Sequence, residues 1–381
     1  MSISSRNLAL VLLAACGDNE VPIDGPDLAV SQHLIVVAHT DDDEIFMQPE
    51  LADWLHGTDS VTTVFVATGD PIKGNAHMQM SFDSSLMAYG AAAGSQAWDC
   101  GYIRITGLPV QHCRLDNRIS LARLDIPDGG VSGDGNIDLQ DLVNGTDTEL
   151  PIIGALPGTV TTPKIIDELG AIVDQVRPTD LHTLELAGTH GYDHSSHMFT
   201  SAYLWWALAN RDFEAPITWH RGYNVEDEAE DLTDADSLSM LGYFEACFSG
   251  CTVPCGESCP TITSAHLTWI ERQYQVTRIP TASGTLTNGT TTLGHFELQA
   301  NGHLVSNDQC LASTPDGSTT MTPCTLDPAQ AWAYDSEGGL WNGVMPAPTG
   351  DTMEYDHVRC LTSTGTPVCG SKLVEHWQFV P

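Results

Sequence analysis

Leu34-Ile35-Val36-Val37-Ala38-His39-Thr40-Asp41-Asp42-Asp43-Glu44 joins an unbroken apolar run to a histidine and four consecutive carboxylates. An apolar run without polar alternation is the mark of a strand covered on both faces. A second such run, VTTVFVAT at residues 61–68, closes on Gly69-Asp70. Residues 50–57 read as a short helix between them, the Ala- and Met-rich stretch 80–93 as another helix, and Ile103-Arg104-Ile105 as a third strand. In PKIIDELGAIVDQV, residues 163–176, the apolar positions recur at helical spacing, with Pro163 in the first turn and Pro178 beyond the end. Residues 181–186 read as a further strand and 199–209 as an apolar helix. Strands alternating with helices predict an α/β domain with a parallel sheet covered on both faces. Ligands of such sheets sit at the carboxyl ends of the strands, which places attention just after Ala38, Thr68 and Leu186.

Two of those positions carry metal-ligating chemistry. Four carboxylates beside His39, at the mouth of a buried strand, repel one another unless a cation lies among them. After the later strand comes His190-Gly191-Tyr192-Asp193-His194-Ser195-Ser196-His197. His194 and His197 are three apart and share a face of a first helical turn. Two histidines and a carboxylate with an open position form the pattern of catalytic zinc, although another divalent cation would use the same ligands.

Val37-Ala38-His39-Thr40-Asp41-Asp42-Asp43 resembles the AHPDD(E/D) motif of LmbE-like proteins, the family that includes N-acetylglucosaminyl-phosphatidylinositol de-N-acetylase. Gly191-Tyr192-Asp193-His194-Ser195-Ser196-His197 resembles its second motif. Leu124-Asp125-Ile126-Pro127-Asp128-Gly129 and Leu139-Gln140-Asp141-Leu142-Val143-Asn144-Gly145 resemble its intervening loop. The resemblance spans roughly residues 32–230 and implies a Rossmann-like fold and zinc-dependent removal of an acetyl group from an N-acetylglucosamine-containing glycan or glycoconjugate. It implies His39, Asp42 and His197 as metal ligands, Asp41 as general base, His194 as donor to the oxyanion and Asp193 as the residue orienting His194. Thr40 stands where relatives carry Pro, Asp43 where they carry Glu, and Ser81-Phe82 where many carry Arg-Glu, which leaves the sugar contacts open. Asp134-Gly135-Asn136-Ile137-Asp138-Leu139-Gln140-Asp141 lacks the spacing and terminal Glu of an EF-hand and reads as an active-site loop.

The rest of the chain frames this domain. Residues 1–16, MSISSRNLALVLLAAC, have a short n-region and an apolar run too short to span a bilayer, and read as a lipoprotein signal with Cys16 as the lipid-bearing residue. Residues 17–31 read as a linker, 32–246 as the deacetylase domain, 247–284 as a Cys-rich segment and connector, and 285–381 as a small all-β domain. Cys247, Cys251, Cys255 and Cys259 read as two disulfides rather than a zinc site, with their pairing open. Gln309-Cys310-Leu311, Cys324 and Gln330-Ala331-Trp332 recur about fifty residues later as Arg359-Cys360-Leu361, Cys369 and His376-Trp377. This repeat resembles the ricin-type lectin β-trefoil, in partial form, with His295-Phe296 as the stub of a preceding unit. The resemblance implies Cys310–Cys324 and Cys360–Cys369 disulfides, with each Trp in the core rather than on a sugar.

Composition narrows the partners. The 381 residues hold 14 basic and 50 acidic side chains, a net charge of −36, which excludes nucleic acid and an anionic membrane face and leaves the lipid on Cys16 as the expected membrane contact. A carbohydrate or glycoconjugate substrate and an envelope location, periplasmic or at the outer membrane or cell surface, are expected. The competing expectation is a catalytically inactive carbohydrate-binding envelope lipoprotein; hydrolysis of another bond, such as an ester, is a third.

Overall fold

The computed structural model of the chain describes residues 31–67, 74–128, 139–144, 147–186, 193–209, 211, 213–233, 236, 268–314, 316–342, 359–365 and 375–381. The signal sequence with Cys16, the linker, the 134–138 loop, the 187–192 segment, the four clustered cysteines and Cys369 lie outside the described residues.

The N-terminal part is built on strands β1 (Gln32–Val37), β2 (Ser60–Ala67), β3 (Asp99–Arg104), β4 (Pro109–Leu115), β5 (Ile119–Ile126), the short pair β6 (Leu150–Pro151) and β7 (Thr159–Val160), then β8 (Asp180–Leu184), β9 (Ile217–His220) and β10 (Gln275–Thr277). Its helices are α1 (Asp42–Phe46), α2 (Glu50–His56), α3 (Gly74–Ala93), α4 (Leu139–Asn144), α5 (Thr162–Val176) and α6 (Ser195–Ala209). Eight strands form one sheet in the order β10-β9-β8-β1-β2-β5-β4-β3. The run from β9 to β5 is parallel, as the sequence predicts, but β10 on one edge and β4 and β3 on the other are antiparallel.

Strand β1 shows why the centre of this sheet reads as continuous apolar sequence. Successive side chains point to opposite faces. Leu34, Val36 and Ala38 enter one core cluster with α4, α5 and α6, while Ile35 and Val37 enter another with α1, α2 and α3. Helix α5 buries Ile165, Leu169, Ile172, Val173 and Val176 on one stripe. It ends where Arg177 turns left-handed (φ 51°), its N–H donating to the Val173 carbonyl, with Pro178 next.

The sequence reading missed β4 and β5. Gln111, His112 and Arg114 interrupt the apolar pattern of β4, and Arg123 interrupts that of β5, yet all but Arg114 are buried. Cys100 and Cys113, paired opposite one another on β3 and β4, form a disulfide across the edge hairpin.

Past β10 the described residues form the strands β11 (Ala282–Thr287), β12 (Thr292–Leu298), β13 (Leu304–Ser306), β14 (Gln309–Ser313), β15 (Thr319–Thr322), β16 (Trp332–Tyr334), β17 (Leu340–Asn342), β18 (Arg359–Cys360) and β19 (Gln378–Val380), with one 3-10 turn at Pro328–Gln330. They form an antiparallel six-stranded sheet and an antiparallel three-stranded sheet. The internal repeat is visible in the bonding. The Trp332 indole donates to the Leu311 carbonyl and the Trp377 indole to that of Leu361, each at 2.8 Å. The N–H of Trp332 donates to Gly302 and that of Trp377 to Gly338. Both glycines have positive φ, and a Cβ on either would press within 3.1 Å of its Trp backbone. Both indoles are fully buried, as core residues. Cys310 and Cys324 are bridged; Cys360 is also disulfide-bonded, its partner lying outside the described residues.

This β region packs on α6. Trp205 donates its indole N–H to the Ala331 carbonyl at 3.2 Å, and the Arg278 guanidinium lies 4.8 Å from its ring. Replacing Trp205 with Ala is expected to cost about 3–5 kcal/mol in stability, read from the denaturant midpoint of the full chain.

Candidate metal centre

The carboxyl ends of β1, β5, β8 and β9 deliver the site. The chain leaves β1 through His39 and turns into α1, so that Asp41 precedes the helix and Asp42 starts it. Asp128 follows β5, Asp193 and His194 precede α6, and Gly222-Tyr223 follow β9. His197 stands in the first turn of α6 and is fully buried, as are Asp42, Asp193 and His194 to within a few percent.

Three electron-rich atoms converge. His197 Nε2 lies 3.0 Å from Asp42 Oδ1 and 3.2 Å from His39 Nδ1, and His39 Nδ1 lies 3.4 Å from Asp42 Oδ1. The edge of a tetrahedron around an ion with ligand bonds of about 2.0–2.1 Å is roughly 3.3 Å, so the triangle fits a zinc-sized cation. The outer nitrogens explain why these two nitrogens are lone-pair donors. His197 Nδ1 is 2.7 Å from Asp193 Oδ1, and His39 Nε2 is 3.3 Å from Asp128 Oδ2. A carboxylate behind each imidazole draws the ring proton outward and turns the other nitrogen inward. The His39 main-chain N–H holds Asp42 through Oδ2 at 2.7 Å, leaving Oδ1 for the centre.

Electrostatics agree. Burial disfavours a charged His197, but Asp42 and Asp193 outweigh it and raise its pKa to about 9. His39 is likewise raised, against burial, by Asp42 and Asp128. Asp42 is held far below the usual carboxylate range despite burial, by His197 and then His39. The pocket is therefore built to retain positive charge. His194 differs: burial and the field of His39 lower its pKa to about 4, so it is neutral near pH 7. The Ser196 N–H donates to its Nδ1 at 3.2 Å, which leaves the proton on Nε2, on the side of Asp128, whose Oδ1 is 4.0 Å away.

The expected residues thus come together, with one correction of role. The Asp193 carboxylate is aimed at the His197 ring and not at the His194 ring. Its Oδ1 also accepts the main-chain N–H groups of His194 at 2.8 Å and Tyr223 at 3.1 Å, so it touches His194 only through the backbone. Gly222 permits this approach, since a Cβ there would lie 2.3 Å from the Asp193 carboxylate. Asp41 is half-buried and makes no capping bond to α1. Its charge adds to the burial that raises Asp43, Glu44 and Tyr223.

Asp128 carries no assigned role in the sequence pattern. It is buried, accepts the Ser196 hydroxyl at 2.6 Å, and is held ionised against burial chiefly by His39. It follows a strand end like the other site residues, so a correct reading of β5 as a strand would have singled it out. Asp43 turns away into the core, where it accepts the Tyr89 hydroxyl; burial pushes its carboxyl up to about 7. Thr40, in the place of proline, is tied by its carbonyl to the Ser85 hydroxyl of α3. Phe82 packs in the core against Phe65 and under the Arg123 guanidinium, and so contributes no polar contact to a sugar.

Residues 34–208 match the family model described as PIG-L: GlcNAc-PI de-N-acetylase. That match supports a PIG-L/LmbE-like deacetylase domain over this stretch. No curated protein matches the chain. Similar solved structures include a triple mutant of the deacetylase Orf2 of the teicoplanin biosynthetic pathway, 14% identical, covering 60% of this chain and 86% of that one, TM-score 0.34. The A40926 pseudoaglycone deacetylase Dbv21 is 14% identical and covers 62% and 82%, TM-score 0.33. GalB, the 4-carboxy-2-hydroxymuconate hydratase of Pseudomonas putida KT2440, is 12% identical and covers 63% and 83%, TM-score 0.34.

Two outcomes follow from the geometry. A metal ion entering the triangle must displace the proton that His197 holds below about pH 9, so apparent zinc affinity rises with pH toward that value; chelator competition across the range reads the slope. Asp193→Asn removes the anion behind His197 and is expected to weaken zinc binding about 10–100-fold in the same assay.

Proposed function

We propose that the protein is a zinc-dependent hydrolase that removes the N-acetyl group from an N-acetylglucosamine-containing glycan or glycoconjugate. The observation that carries this reading is the His39–Asp42–His197 triangle at the strand ends, with Asp41 and a neutral, Nε2-protonated His194 beside it. A divalent ion held by the triangle would polarise the amide carbonyl and acidify a water molecule. Asp41 takes the proton of the attacking water and returns it to the departing amine nitrogen. His194 donates its Nε2–H to the oxygen of the tetrahedral carbon, and its low pKa keeps it a neutral donor through the working range. Asp128 supports His39 and His194: it accepts the Ser196 hydroxyl and faces both rings. Asp193 holds the His197 ring.

The C-terminal β region is proposed to bring the enzyme to a polysaccharide. Its support is the repeated Cys-Leu and Trp pattern and the equivalent bonding of Trp332 and Trp377. Those indoles are spent in the core, so glycan contacts would come from the surface loops. Export as a lipoprotein through Cys16 is proposed on Leu13-Ala14-Ala15-Cys16, and the Cys100–Cys113 and Cys310–Cys324 bridges suit an oxidising compartment.

The test is acetate release from N-acetylglucosamine oligomers by the chain lacking residues 1–16. Asp41→Asn is expected to keep its zinc and lose about 10²–10⁴ in turnover. His194→Ala is expected to lose about 10²–10³. Zinc binding without acetate release by the unaltered chain would refute the N-acetyl substrate and turn attention to other acyl bonds.

A further inference from the structure

Three aromatic side chains from three separate segments meet beside the ligand triangle. Tyr223 follows β9, Phe46 ends α1, and Trp269 stands ahead of β10. The centre of the Tyr223 ring lies 5.1 Å from that of His197 and 6.3 Å from that of His194. Trp269 is stacked on Tyr223, with ring centres 4.4 Å apart and planes 15° from parallel. Phe46 lies 5.8 Å from Tyr223 and 6.0 Å from Trp269.

Exposure divides the three. Phe46 is fully buried and acts as packing, whereas Tyr223 and Trp269 are part-exposed, as are His39 and Asp41. The stacked pair is also held in place. The main-chain N–H of Tyr223 donates to Asp193 Oδ1 at 3.1 Å, the oxygen that lies 2.7 Å from His197 Nδ1. The segment carrying Trp269 is fastened on two sides. Arg272 Nε donates to the Glu228 carbonyl at 2.8 Å, the Gln273 main-chain N–H to Asp231 Oδ1 at 2.8 Å, and the Gln273 side chain to Glu50 Oε2 at 2.6 Å. An aromatic surface fixed before a ligand arrives costs little ordering when it binds.

The triangle, Asp41 and His194 are polar and engage the amide; none of them offers a surface to the ring that bears it. A pyranose presents several C–H bonds on one face, and their slight positive charge suits the negative face of an aromatic ring. An acetyl methyl is too small to cover two stacked rings. The larger sugar half of the substrate must extend from the buried centre toward solvent, where a part-exposed wall can meet it. Phe82 is spent in the core, so this wall supplies the sugar contact that the 81–82 positions do not.

We propose that Tyr223 and Trp269 form the subsite for the pyranose ring carrying the N-acetyl group, stacking on its apolar face. The assignment rests on the deacetylase reading for the position of the amide. It makes the pair specificity-determining and leaves the chemical step to the residues already named.

Two measurements test it in the chain lacking residues 1–16, with N-acetylglucosamine oligomers as the probe. In acetate release, Trp269→Leu should raise KM about 5–10-fold and change kcat less, because stacking is shared by the ground and transition states. Trp269→Phe, which restores a ring, should recover most of that loss. In zinc-loaded Asp41→Asn, the oligomer should slow the loss of zinc to a chelator in a saturable way, and adding Trp269→Leu should weaken this protection by the same factor. Tyr223→Leu is carried through both measurements in case Trp269→Leu does not fold. Unchanged KM and protection in the folded leucine variants, a loss as large in Trp269→Phe as in Trp269→Leu, or zinc affinity falling in step with KM each overturns the proposal; the last result would mean that the rings act through His197. Absence of protection in Asp41→Asn also overturns it. Protection that the leucine variants weaken, without acetate release by the unaltered chain, refutes the deacetylase and leaves the sugar subsite standing.

Discussion

Two imidazole nitrogens and a carboxylate oxygen cannot stay within 3.0–3.4 Å of one another as bare lone pairs, and this constraint organises the N-terminal half of the molecule. Each of the three is held from behind: His197 by Asp193, His39 by Asp128, Asp42 by the His39 N–H. Each of those supports comes from a different strand end. The parallel order of the central strands matters because it brings four carboxyl ends to one rim, where backbones separated by long stretches of sequence can aim at a shared point. The antiparallel edges have no such duty, and there the sequence is free to be polar and the hairpin is cross-linked instead.

Placing so many carboxylates near one centre requires sorting them by environment. Asp42 and Asp128 have histidines close by and remain ionised although buried. Asp43 and Glu44, one and two residues on, point into the core, where burial raises both; Asp43 lies near 7 and is met by Tyr89. Four adjacent acids therefore do not amount to four adjacent charges. The helix start at Asp42 makes the division, since successive residues of a helix turn by about 100° and face different surroundings.

This sorting explains what the sequence could and could not disclose. His39 and Asp42 are legible because they follow an apolar run that only a buried strand demands, and His194 and His197 because they stand three apart at the head of an apolar helix. Asp128 is inconspicuous in the sequence because Arg123 and Asp125 make β5 look like surface, whereas Arg123 is buried against Phe82 and Asp125. The direction of Asp193 was misread because adjacency in sequence suggested His194, while the helix turn places His197, four residues on, over the carboxylate. The Gly222 requirement has no sequence signal at all: it arises from the close approach of β9 to a side chain thirty residues earlier. In the C-terminal region the repeat spacing was legible, but its seating on α6 was not, since the apolar pattern of that helix names no partner.

Helix α6 makes these two halves one mechanical object. Its first turn supplies Ser196 and His197, and Trp205, eight residues on and about 12 Å along the axis, is clamped by Ala331 and Arg278. A helix buried on every side has no solvent face toward which it can roll, because any rotation would require repacking all of its surroundings. The β region therefore does more than cover Trp205: by filling the far side of α6 it removes the space into which the helix could shift. A ligand triangle with edges near 3 Å tolerates little such movement. The sheet sets where the ligands point, and the packing on both sides of α6 keeps His197 at that distance.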